Sequence, residues 1–206
     1  MHAPRLIRSP LSIVPGRVPA RESVGFPRAR VIEIASAEAD AAGMSTAVQI
    51  LLACQREGDS VAWVQPRGGT LYPPDLHAAG LDLDALAVVH VPPEAGGVGL
   101  AKAGELLLRT GAFGAVALDL TEVRPPRGEA WLGRLASLAR EHDARAVLLG
   151  PARAAASFGA LVSLRVSPRR RRTRPGRHRV ELEILKNKAG ASPHFEGEWR
   201  APEGVR

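Results

Sequence analysis

The sequence predicts an α/β fold, a mainly parallel sheet flanked by helices with antiparallel strands added at its C-terminal edge. Three observations predict it. Short apolar runs alternate with helical repeats between Arg30 and Leu149, which is the pattern of βαβ units. Three strand-like runs then follow one another with no helix between them. The 206 residues, 45% of them hydrophobic, are enough for one domain with a substantial core.

Taken in order, residues 1–29 hold five prolines and no sustained periodicity, so they read as an Arg/Pro-rich extended or disordered arm. The α/β domain is expected over residues 30–200, with a short tail at 201–206. Strands are expected at 31–34, 61–64, 88–91, 115–118 and 146–149, each a short apolar run. Helices are expected at 45–56, 100–109 and 129–141, where apolar residues recur at helical spacing. The last strands are expected at 161–166, 180–185 and 195–199. The first two would form a basic hairpin, residues 161–188, joined by the turn SPRRRRTRPGRHR.

Composition sets further bounds. Aromatic residues are only 4%, so the core must come mainly from Ala, Val, Leu and Ile. The single cysteine, Cys54, lies in a helical apolar pattern and reads as a buried structural thiol. No run approaches the ~18 apolar residues of a membrane span, and the N-terminus lacks a signal-peptide apolar core. A cytoplasmic protein is the expectation. The net charge of +7 is uneven: residues 1–30 carry six Arg and one Glu, residues 31–164 ten basic and fifteen acidic groups, residues 165–206 twelve basic and five acidic. Basic extremities on an acidic body suit contact with nucleic acid or an acidic partner. A general preference for arginine in the sequence would give the same numbers.

The stretch RVIEIASAEADAAGMSTAVQILL has the frame of a phosphate-binding P-loop, a strand and a small-residue loop leading to Gly43, Ser45 and Thr46 at a helix start. Such a loop needs a lysine for the β and γ phosphates, and that place holds Met44. Glu38 and Asp40 add negative charge to the loop, against a triphosphate. Asp119 ends the apolar run AVALDL, as a magnesium-holding acid would, although an aspartate there is also a common structural feature. The six histidines show no metal-ligand spacing. No catalytic set, metal or cofactor is expected.

The order of elements and the local wording together resemble the RecA family. The run VIEIASAEADAAGMSTAVQILLACQREGDSVAWV is similar to that family's first strand, P-loop, helix and second strand. AAGLDLDAL, TGAFGAVALDL, ALVSLRVSPRRRR and HRVELEILKNKAGASPHFEGEW resemble its later elements in the same order. The resemblance implies a RecA-like core in which Met44 replaces the P-loop lysine, Arg67 stands near the water-activating glutamate, and only Asp119 of the catalytic set remains. ATP hydrolysis is therefore expected to be lost. Among RecA relatives the chain resembles the ImuA type, accessory proteins of error-prone translesion synthesis in the SOS response to DNA damage. That implies a non-catalytic adaptor binding RecA, the polymerase-like protein ImuB, or both. Two other readings stay open: a SulA-type division inhibitor binding FtsZ, and a residual ATP-dependent DNA-binding protein. By the same resemblance Lys186, Asn187 and Lys188 would form a partner interface, with both lysines on one side of a strand. Arg169, Arg170, Arg171, Arg172, Arg174, Arg177 and Arg179 are the candidate non-specific DNA or phosphate contacts.

Overall fold

In the computed structural model the described residues are 25–36, 42–69, 71–151, 157–174, 177–188, 190 and 198–200. One eight-stranded sheet organises them, in the order β3-β2-β4-β5-β1-β6-β7-β8. The strands are β1 (Arg30–Ser36), β2 (Ser60–Pro66), β3 (Leu86–Val91), β4 (Phe113–Asp119), β5 (Arg145–Pro151), β6 (Leu164–Arg174), β7 (Arg177–Asn187) and β8 (Glu198–Arg200). The helices are α1 (Ala42–Arg56), α2 (Pro73–Ala78), α3 (Gly96–Arg109) and α4 (Ala130–Glu141). The first six strands in that order run parallel, β7 pairs antiparallel with β6, and β8 pairs antiparallel with β7. The α/β class, the parallel core and the antiparallel edge are as the sequence predicts, and the arrangement is consistent with a RecA-like fold.

The central strands are nearly continuous apolar runs because helices cover both of their faces. On one face Ile32, Ile34, Trp63, Ala117 and Leu149 meet Ile50, Leu51 and Cys54 of α1 and Leu76 of α2. On the other face Ala62, Val64, Val116 and Leu148 meet Leu100 and Leu108 of α3 and Leu132 and Leu135 of α4. The parallel crossovers bring the C-terminal ends of β1, β2, β4 and β5 to one rim, where ligands bind in open α/β sheets.

Several expectations need correction. The run expected at 161–166 as an antiparallel strand begins at Leu164 and pairs parallel with β1, Ile32 opposite Leu164. Among the described residues no helix lies between β5 and β6, yet β6 pairs parallel with β1, so a missing helical repeat did not mean an antiparallel partner. The thirteen-residue basic turn is also much shorter than expected. The strands run on to Arg174 and resume at Arg177, held by cross-strand ion pairs between Arg169 and Glu183 (3.1 Å) and between Arg171 and Glu181 (2.8 Å). The folded body begins before Arg30: Phe26 is buried in the α1-side core, and its carbonyl accepts from Arg145 Nε at 3.0 Å. The rest of the expected arm, residues 1–24, and the tail 201–206 lie outside the described residues. Among the described residues no helix is long and apolar enough to cross a membrane.

Candidate functional site

Helix α1 starts at Ala42, so Gly43, Met44, Ser45 and Thr46 occupy its first turn beside the end of β1. Gly43 and Thr46 are buried, and Ser45 is half-buried. Thr46 donates its hydroxyl to the Ala42 carbonyl at 2.7 Å, a bond spent inside the helix. Met44 is half-buried and packs against the apolar core on the α1 face. A lysine reaching for phosphate would project its charge into the rim, whereas here an apolar side chain turns to the core. Glu38 and Asp40, expected to repel a triphosphate, lie outside the described residues.

Asp119 ends β4 and is buried. Its Oδ1 accepts from the backbone N–H of Thr121 at 3.1 Å and from the Thr121 hydroxyl at 2.6 Å. The carboxylate thus closes its own turn, as aspartates at strand ends commonly do. Arg67, just past β2, is exposed and brings no carboxylate to the rim. The structure does place Arg67 and Asp119 together, in a pocket of about 90 Å³ shared with Thr121 and Glu122. Ordinary ligand pockets run to roughly 300–1,000 Å³.

Lys186 and Lys188 do converge. Lys186 Nζ donates to the carbonyls of Gly159 (3.0 Å) and Ala160 (3.3 Å), and Lys188 Nζ donates to Ala160 at 3.2 Å. Asn187 Oδ1 accepts from Gly190 N–H at 3.2 Å. Both ammonium groups therefore sit on the loop that follows β5. Of the seven hairpin arginines, Arg169, Arg170, Arg171 and Arg179 are exposed. The side chains of Arg172, Arg174 and Arg177 lie outside the described residues.

Two charged constellations around β1 and β5 escaped the sequence reading. Glu33, inside β1, is buried and pairs with buried Arg165 of β6 at 2.8 Å. Its other oxygen accepts from the Ser157 hydroxyl (2.5 Å) and Phe158 N–H (3.1 Å). Glu129 accepts from Ala160 N–H at 3.0 Å, so two carboxylates and two lysines anchor residues 157–160. Phe158 stands edge-on to Trp131 at 5.9 Å between ring centres. The available signal was Glu33 itself, an acid in an otherwise apolar strand, because a charge is fully buried only when paired.

The second constellation lies at the opposite rim. Arg145 is buried and grips both oxygens of Glu57 at 3.1 Å each, while Arg28 pairs with Glu57, with Asp59 (2.9 Å) and with Asp143 (2.8 Å). Burial pushes Glu57 upward, but the hydrogen bonds and charges of Arg145 and Arg28 outweigh it and leave the carboxyl below its ordinary value. Arg145 Nη1 also donates to Cys54 Sγ at 3.1 Å. Burial nonetheless pushes the thiol up to about 11, against the lowering effect of Arg145. Cys54 is a buried structural thiol, as expected.

Among the described residues no group of three His, Cys, Asp or Glu could hold a metal ion. Set against known proteins, the sequence matches no family model and no curated protein.

Proposed function

We propose that the protein is a non-catalytic RecA-like adaptor of the ImuA type, acting in the DNA-damage response and error-prone translesion synthesis by binding RecA, ImuB or both. The observation that carries this reading is Met44. The RecA-like strand order is kept, yet the position of the phosphate-binding lysine holds an apolar side chain packed on the core. Asp119 bonded to Thr121 and the exposed Arg67 support the same conclusion. A fold without nucleotide chemistry still presents its surfaces to partners, because those depend on packing rather than on the missing groups.

The partner surface in this reading includes Lys186 of β7 and Lys188 just past its end. They hold the carbonyls of Gly159 and Ala160 in the free protein. On an ATP-loaded RecA subunit they would exchange those carbonyls for its phosphates, making this chain a non-hydrolysing end cap. Pull-downs with purified RecA, ImuB and FtsZ test the reading. Retention of RecA or ImuB supports it, and retention of FtsZ alone replaces it with the division-inhibitor reading. The end-cap geometry predicts that RecA is retained only with ATP. It also predicts that the Lys186→Ala/Lys188→Ala double variant loses RecA with its circular dichroism unchanged. Nucleotide-independent retention, or equal retention by the double variant, contradicts that geometry.

A further inference from the structure

On the face opposite α1, an open groove of about 440 Å³ runs between α3 and α4, walled by Glu105 and Arg109 on one side and by Gly133, Arg134, Ser137 and Leu138 on the other. Glu105 is buried at its edge. Its Oε1 accepts from Arg109 Nη2 at 2.5 Å and lies 3.6 Å from Lys102 Nζ, and its Oε2 accepts from Arg134 Nε at 2.7 Å. Three cations around one anion leave two positive charges in excess, in a body whose residues 31–164 are net acidic. The cations are open to solvent: the side chains of Lys102, Arg109 and Arg134 are 58%, 58% and 53% exposed. Arg134 meets Glu105 through Nε and Arg109 through Nη2, so each guanidinium keeps further N–H groups beyond that bond.

The groove is also partly apolar. Gly133 has no side chain, and a Cβ there would meet only Leu161 Cδ1, at 3.7 Å. Half-buried Leu138 lines the groove, and exposed Leu161 lies next to the Gly133 position. A short cleft with fixed arginines beside Leu138 and Leu161 complements a segment that carries both carboxylates and apolar side chains. We propose that this α3–α4 groove is a docking site for an acidic, partly apolar peptide segment of a protein partner. The segment's carboxylates would pair with Arg109 and Arg134, and an apolar side chain would seat over Gly133 against Leu138. Glu105 is the positioning residue, because it holds both guanidiniums in place before the partner arrives. The chain's own first thirty residues do not fit, with six arginines to one glutamate. A nucleic-acid backbone would need a continuous cationic track in place of the leucines. The inference does not depend on the partner proposed above.

The test uses the full chain and a fluorescein-labelled peptide of Glu-Glu-Leu-Leu repeats, followed by anisotropy at low salt. The wild type should bind it saturably. Gly133→Glu puts a competing carboxylate beside Arg134 at a position where its Cβ makes only ordinary van der Waals contact with Leu161, and it replaces glycine with a better helix former. It should weaken binding by about tenfold or more, and exposed Ser137→Glu should do likewise. Gly133→Ala should bind within about twofold of the wild type. No binding by the wild type, undiminished binding by both Glu variants, or displacement of the peptide by a single-stranded oligonucleotide would overturn the proposal.

Discussion

Glu33 stands in the middle of β1 with apolar residues on either side of it in sequence, and its two carboxylate oxygens are taken up by Arg165, the Ser157 hydroxyl and Phe158 N–H. Breaking a buried pair from one side leaves an uncompensated charge, at a cost of about 3–5 kcal/mol. Arg165→Met should therefore cost that much in urea unfolding, and adding Glu33→Gln should recover much of it. A cost below about 1 kcal/mol for the single variant would mean that water or another group solvates Glu33. Cys54 is the second residue with a clear expectation. With its pKa pushed up to about 11 and its side chain buried, the thiol should resist iodoacetamide at pH 8 until urea unfolds the chain. Rapid alkylation of the native protein would contradict the buried placement. Cys54's burial was legible from its position in an apolar helical repeat. Glu33's partner was not, because Arg165 is remote in sequence and only the parallel pairing of β1 with β6 brings them together.

Among the elements, α3 and α4 are tied by Glu105, whose carboxyl is held below its ordinary value of 4.5, first by the hydrogen bond from Arg134, against the cost of its burial. The folded protein therefore binds that proton less readily than the unfolded chain does. The stabilisation is complete above the unfolded value and disappears as pH falls through the folded one. Thermal melts between about pH 6 and pH 3 should show the wild type losing more of its Tm than Glu105→Gln does. Parallel curves for the two would remove Glu105 from the helix contact. The hairpin β6–β7 carries a second expectation. Arg169 and Arg171 already hold Glu183 and Glu181, so changing these two to Ala should flatten the salt dependence of DNA binding by less than the ~2 units of slope that two unpaired phosphate contacts would supply. Titrations of a labelled duplex over a salt series measure this, and a larger change would mean that the ion pairs open on DNA. The main elements were legible because buried parallel strands and amphipathic helices leave strong periodic signals. Helix α2 was missed because its six residues span under two turns, too few for periodicity, although two prolines at its start mark it. The length of β6 and β7 was hidden by the arginines, whose strand geometry depends on carboxylates across the hairpin. The register shift beside Leu185, between Arg165 and Val166 on the partner strand, left no mark in the sequence.

For the whole molecule, the sheet order, the cores on its two faces and the first turn of α1 are consistent with a RecA-like α/β fold. Several of the molecule's charged groups are used inside the fold. Asp119 bonds Thr121, Lys186 and Lys188 bond the Ala160 carbonyl, and Arg165 is ion-paired with Glu33. The frame was legible from the strand–loop–helix pattern and the order of elements, while the internal use of these groups depends on contacts across the sheet. On this account the strand–turn–helix persists because packing needs it, and nucleotide binding has lapsed. Calorimetric titration of the full chain with magnesium and ATP tests this most directly. The account predicts no saturable heat up to about 1 mM ATP, a standard free energy weaker than about −4 kcal/mol, whereas saturable binding with a micromolar dissociation constant would contradict it.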